Sequence, residues 1–125
     1  MHKLSELQSW KSGRKLRRLI SELVKSLPGD EKFRLKDQII RSSRSVPANI
    51  AEGFGRYHYQ ENIQFCRTAR GSLYETQEHL ICALDEGFIN EDQFNNVNEQ
   101  LLLCLKILNG YIAYLKKSKN DSKNK

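Results

Sequence analysis

The cations of this chain stand at helical spacing. Lys11, Arg14, Arg18 and Lys25 follow one another at intervals of 3, 4 and 7 residues, which places them on one helix stripe almost opposite the neighbouring Leu and Ile residues. Such a ridge can track phosphates and release their counterions, giving salt-dependent binding with little sequence preference. It can equally be a solvated helix face. Further along, Arg56-Tyr57-His58-Tyr59 sets two aromatic rings beside a cation, a composition suited to stacking bases or to covering the end of a bundle. A third group, Gln38, Arg41, Asn49, Glu52 and Arg56 with Glu75, reads either as a functional pocket or as a half-buried network. That network would satisfy carbonyls freed by Pro47 and pair arginines with Glu52 or Glu75.

Two kinds of chemistry are poorly supplied. A di-iron centre in a helical bundle requires inward carboxylates on all four helices and a Glu-x-x-His on two of them. The histidines here are His2, His58 and His79, and Glu75-x-x-x-His79 comes nearest, so neither metal nor cofactor is expected. Nucleophilic catalysis requires a thiol or hydroxyl beside a base. Cys66, Cys82 and Cys104 all read as helix core, and the expectation is a protein that is not an enzyme.

The elements that position these residues follow from composition and periodicity. With 125 residues, 38% of them hydrophobic, and a net charge of +6, the chain can bury a single core without disulfides or metal. Charge is segregated: residues 1–29 carry seven Lys or Arg against two acids, whereas residues 57–89 carry two against five. Three cysteines, widely spaced and odd in number, fit a reducing cytoplasm. There is no signal-peptide core and no apolar run of membrane-spanning length, so a soluble cytoplasmic protein is expected.

Pro28-Gly29-Asp30 is the strongest break. Before it, Leu16, Leu19, Ile20, Leu23, Val24 and Leu27 share a helical face, while Leu4, Leu7 and Trp10 are out of phase, with Gly13 a candidate bend. A second helix, capped by Asp30, carries Leu35, Ile39, Ser42, Ser43, Val46, Ile50 and Gly53 on one face and runs to about Gly55, with a kink expected before Pro47. Its small residues admit a close neighbour, and Gly53 and Gly55 are expected to end it in a left-handed cap. A third helix spans Tyr59 to Glu86 on Ile63, Cys66, Ala69 or Arg70, Leu73, Gln77, Leu80 and Leu84, closed by Gly87. A fourth follows the cap Asn90 and carries Phe94, Val97, Leu101, Cys104, Leu105, Leu108, Ile112 and Leu115 to about Lys117. The fold expected is all-α: an antiparallel up-down-up-down four-helix bundle over residues 1–117, with 118–125 a disordered basic tail. On the fourth helix Leu103, Ile107, Gly110 and Tyr114 form a second apolar stripe, which calls for contact with sister subunits.

The run Ser45-Val46-Pro47-Ala48-Asn49-Ile50-Ala51-Glu52-Gly53-Phe54-Gly55-Arg56 sets a proline, an asparagine and two glycines inside an amphipathic pattern. It resembles the signature of the bacterial four helix bundle protein family, also called the S23 or ribosomal-RNA intervening-sequence protein family, related to the accessory variability determinant of diversity-generating retroelements. Leu7 and Trp10 with Pro28, Asp37-Gln38-Ile39 with Arg41, Gly71-Ser72 with Glu75, and Leu108-Asn109-Gly110 extend the likeness over residues 4 to 117. Gly13 departs from the family's usual alanine, and His58 stands where a serine often caps the third helix ahead of Glu61. A histidine does not complete that capping box. The resemblance implies a homo-pentamer around a central channel, without catalysis. It also implies RNA or DNA binding, for which the residue types and spacing above offer Lys11, Arg14, Arg18, Lys25, Arg56 and Tyr57. The alternative is a protein-interaction scaffold docking a reverse transcriptase or another partner.

Overall fold

The computed structural model describes residues 3–123, without the side chains of Lys32 and Phe33, and every regular element in that span is helical. Four long helices, α1 (Gln8–Leu23), α2 (Asp37–Phe54), α3 (Tyr59–Asp85) and α4 (Glu91–Lys123), carry the fold. Each packs on two neighbours in the cyclic order α1, α2, α3, α4. The directions alternate. Gly13 of α1 lies against Val46 and Pro47, whereas Arg17, Arg18 and Ser21 lie nearer Ile40, Ser43 and Arg44. Thr76 reaches Ser42 at the far end of α3, and Asn62 at the near end lies against Gly53. Asn62 in turn meets Tyr111, Gln77 meets Asn98, and Ser12 meets Gln100. Every neighbouring pair is therefore antiparallel, as the short joints require.

The core is the face that periodicity marks. Leu16, Ile20, Ile39, Val46, Ile50, Ile63, Leu73, Leu80, Val97, Leu101 and Leu108 are essentially inaccessible to water. At about 25 cal/mol per Å² of apolar surface, each supplies roughly 1.5–3 kcal/mol towards offsetting chain entropy. On α3 it is Ala69, not Arg70, that enters the core, and Thr76 takes the place expected of Gln77. Thr76 is tolerated there because its hydroxyl lies 2.8 Å from both Ser42 Oγ and the Ser72 carbonyl. None of the helices is long and apolar enough to cross a membrane among the described residues.

Several boundaries differ from expectation. Leu4, Leu7 and Trp10 pack on the same core as the rest of the bundle, with Trp10 inside α1 and a break at Leu7, which is extended between a 3₁₀ turn (Leu4–Glu6) and α1. Gly13 lies inside α1 and is buried at the crossing with α2, where an added Cβ would lie 3.2 Å from Val46 Cγ1 and 3.5 Å from Pro47 N. Asp30 does not cap an α-helix. A 3₁₀ turn at Gly29–Glu31 and a π turn at Lys32–Lys36 precede α2. α2 is helical from Asp37 to Phe54 with Pro47 inside it and buried, so the Ser43 carbonyl lacks the donor that residue 47 ordinarily supplies.

Helix α2 also ends differently. Gly55 has φ −74°, in the right-handed region, and Gly87 alone among the described glycines has positive φ, 74°. At Gly87 the expected left-handed termination is complete, with Phe88 N–H bonded to the Ala83 carbonyl and Gly87 N–H to that of Leu84, the two bonds of a Schellman motif. At the other side of that joint, Asn90 Oδ1 accepts from Gln93 N–H at 2.8 Å and Gln93 Oε1 accepts from Asn90 N–H at 2.9 Å. This reciprocal capping box starts α4. His58 makes no side-chain cap to α3.

The basic tail is not disordered over its described part, because α4 continues to Lys123. Extending a packed helix avoids a new nucleation step, and Lys119 Nζ donates to Gln60 Oε1 on α3. Residues 124 and 125 lie outside the described span.

Candidate nucleic-acid interface

Helix α1 buries Ser9, Ser12, Gly13, Leu16 and Ile20, which turns Lys11, Arg14, Lys15 and Arg18 outward. Together with Leu19 and Glu22, these four line a shallow groove along α1. Arg14 is steadied by Trp10, whose ring centroid lies 5.8 Å from the guanidinium carbon. Among the described residues, none of the four cations has a carboxylate partner within ion-pair distance. Lys25 is different. It sits in a 3₁₀ turn that follows α1 directly and pairs with Glu22 at 3.0 Å, while Lys15 lines the groove in addition to the residues that spacing identifies.

The loop pair separates as well. Tyr57 is 99% exposed, but Arg56 is engaged by Glu52 at 2.8 Å and Glu61 at 3.4 Å and lies 5.2 Å from the centre of the Phe65 ring. Two carboxylates beside Arg56 compete with a phosphate for its guanidinium.

The proposed polar network is not one network within the chain. Arg41 pairs with Asp37 at 2.9 Å, Glu52 with Arg56 at 2.8 Å, and Glu75 lies 3.5 Å from His79. Asn49 donates to the Ser45 carbonyl and to Ser45 Oγ, both at 2.8 Å, and does not reach the Ser43 carbonyl freed by Pro47. All are local contacts within one or two helical turns. Such exposed i,i+4 pairs contribute only a few tenths of a kcal/mol each.

The second stripe of α4 stays uncovered. Leu103 and Tyr114 are 46% and 63% exposed, with Leu102 beside them at 50%. Ile107 is half-buried and Gly110 exposed, and no atom lies within 4 Å of the position of a Gly110 Cβ. Gly71 on α3 is equally open.

Two thiols are core and one is not. Cys66 and Cys104 are buried, whereas Cys82 is exposed on α3, on the side away from Cys66. Burial pushes the Cys66 thiol from 9.0 up to about 11, and burial also raises Cys104. The Cys82 thiol is raised too, by desolvation and by Glu86, Glu78, Asp85 and Glu31. None of the three is a ready thiolate. Folding protects the neutral form of Cys66, so its stabilising contribution is present below pH 9 and is lost as pH climbs from 9.0 to about 11. The melting temperature is expected to fall over that window, and Cys66→Ala should reduce the pH-dependent part of the fall. Iodoacetamide should label one thiol in the native protein and three after denaturation. Among the described residues no three His, Cys, Asp or Glu side chains come together as a metal site.

A solved structure of a protein of unknown function from the S23 ribosomal protein family of Bacteroides thetaiotaomicron VPI-5482 superposes with a TM-score of 0.77 at 25% identity, covering 83% of this chain and 97% of that one. A search of curated proteins finds no match. Residues 5–110, from the docking turn before α1 to the open glycine of α4, match the family described as 23S rRNA-intervening sequence protein. The chain belongs to that family.

Proposed function

We propose that the protein is a non-enzymatic, oligomeric helical bundle of the cytoplasm that holds RNA or DNA by its phosphates through the cationic face of α1. The observation that carries this reading is that Lys11, Arg14, Lys15 and Arg18 stand outward without carboxylate partners among the described residues. On α2, by contrast, the exposed Arg41 has an i,i+4 carboxylate partner in Asp37. The family's name, which refers to an intervening sequence of 23S rRNA, points to the same class of partner. Sister copies packed on the α4 stripe, in the pentamer that the family resemblance implies, would repeat the ridge around a ring and strengthen its field.

Anisotropy of a labelled single-stranded RNA and of a duplex across a salt series tests this. Affinity is expected to fall steeply with salt, and the double variant Arg14→Glu/Arg18→Glu to bind on the order of a hundredfold more weakly at low salt. A parent protein that binds neither probe at low salt would leave the scaffold reading in its place. That reading has its own support in Tyr57, which is 99% exposed next to Arg56, whose charge Glu52 and Glu61 already engage, and which is better suited to a protein partner, such as a reverse transcriptase, than to a phosphate.

A further inference from the structure

Where α1 crosses α2, a small cleft of about 150 Å³ is lined by Arg17, Arg18 and Ser21 on one side and Ile40, Ser43 and Arg44 on the other. Resting on the nucleic-acid reading above, we propose that this cleft is a discrete phosphate site that seats one phosphodiester of the bound strand between Arg17, Arg18 and Arg44.

Three arginines line the cleft, and none has a carboxylate within ion-pair distance among the described residues. The acids nearby in sequence are already engaged: Glu22 by Lys25 and Asp37 by Arg41. Like charges gathered without a counter-ion repel one another, and an anion between them reverses the sign of that interaction. The frame is rigid. Gly13, one turn from Arg17, is packed against Val46 and Pro47, so α1 and α2 hold Arg17 and Arg44 at a fixed separation. Arg17 is half-buried, Ile40 lends an apolar wall, and Ser21 brings a hydroxyl to the rim. A guanidinium is a planar fork that matches two phosphate oxygens at once, which an ammonium does not.

The cleft also continues into the ridge, because Arg18 lines both the cleft and the α1 groove with Lys11, Arg14 and Lys15. Arg18, Arg14 and Lys11 follow one another at about 5.4 Å, one helical turn. A chain of phosphates entering the cleft at Arg44 therefore meets further cations along α1, whereas a free phosphate would use the cleft alone.

The test compares Arg44→Lys and Arg44→Gln with the parent. Both are expected to bind labelled single-stranded RNA about tenfold more weakly at low salt. Arg44→Gln should also lower the slope of log affinity against log salt by about 0.7. A diffuse positive field makes the opposite prediction for Arg44→Lys, which would then equal the parent. Inorganic pyrophosphate should raise the melting temperature of the parent and leave that of Arg44→Gln unmoved. Without ligand at low salt, Arg44→Gln should melt at or above the parent, which confirms that the variant folds. Parent-like RNA affinity in both variants, while Arg14→Glu/Arg18→Glu loses binding, would overturn the cleft and leave the ridge standing. An Arg44-dependent pyrophosphate effect in a protein that binds no RNA would overturn the phosphodiester assignment together with the nucleic-acid reading.

Discussion

Gly53→Ala will lower the melting temperature by roughly 10 °C, a loss of about 2–3 kcal/mol. A Cβ at this position would lie 2.7 Å from Asn62 Oδ1, 2.9 Å from Phe65 Cβ and 3.1 Å from the Asn62 carbonyl oxygen. Two of these three atoms cannot swing aside, because one is backbone and the other is fixed to it. Helix α3 must therefore move away from α2, or the end of α2 must unwind. A shift of α3 also disturbs Asn62, which donates to the Tyr111 hydroxyl at 3.1 Å. Gly13→Ala provides the contrast. Its tightest contact is 3.2 Å to the movable Val46 Cγ1, and alanine returns about 1 kcal/mol of helix propensity, so the net change should be within about 1 kcal/mol of zero. Chemical denaturation of the two variants, at an unchanged m-value, measures the difference. Equal stability for both would mean that the α2–α3 crossing is looser than these distances require.

The same glycine marks the boundary of what the sequence could disclose. Apolar periodicity identifies the buried face of every helix because burial repeats every 3.6 residues and leaves its imprint locally. Gly87 and Asn90 are legible for a similar reason: caps are made by residues three or four positions apart. Gly53 is legible as a small residue on a buried stripe but not as a contact with Asn62, since composition looks the same for a C-terminal cap and for a close crossing. Tail residues 118–123 look disordered in isolation, and only the packing of the helix behind them carries the α-helix through. The candidate site obeys the same division. Lys11, Arg14 and Arg18 lie on one helix and can be found by spacing. Arg17 and Arg44 cannot, because they come together only where Gly13 meets Val46 and Pro47. A glycine facing a proline-containing helix was the available signal, but sequence alone does not pair the two helices at that register. Lys25 lies beyond the end of α1, which stops four residues before Leu27, the last residue of its apolar periodicity.

Leu103→Glu/Gly110→Leu is expected to convert an assembly into a single chain of 14.6 kDa without unfolding it. Both positions are exposed in the isolated bundle, so neither substitution opens the core or strains the helix. Leucine should even favour α4, because a glycine inside a helix costs about 1 kcal/mol relative to alanine and leucine restores most of it. The open space around Gly110 is the argument for expecting a partner there. A glycine in a helix interior with no neighbour to admit loses stability and gains nothing within the chain. Beside Leu103, Ile107 and Tyr114 it leaves a notch of apolar and small residues, on which a second helix can settle closely. In light scattering the parent should therefore give a multiple of 14.6 kDa, and the variant one copy, with a far-UV spectrum of unchanged helix content. If the stripe is only solvated, the parent itself will scatter as one copy and Gly110→Leu will do no more than raise the melting temperature by a few degrees. Mass and melting thus move in opposite directions under the two arrangements, because a side chain that stabilises α4 in isolation occupies the space into which a sister subunit must pack.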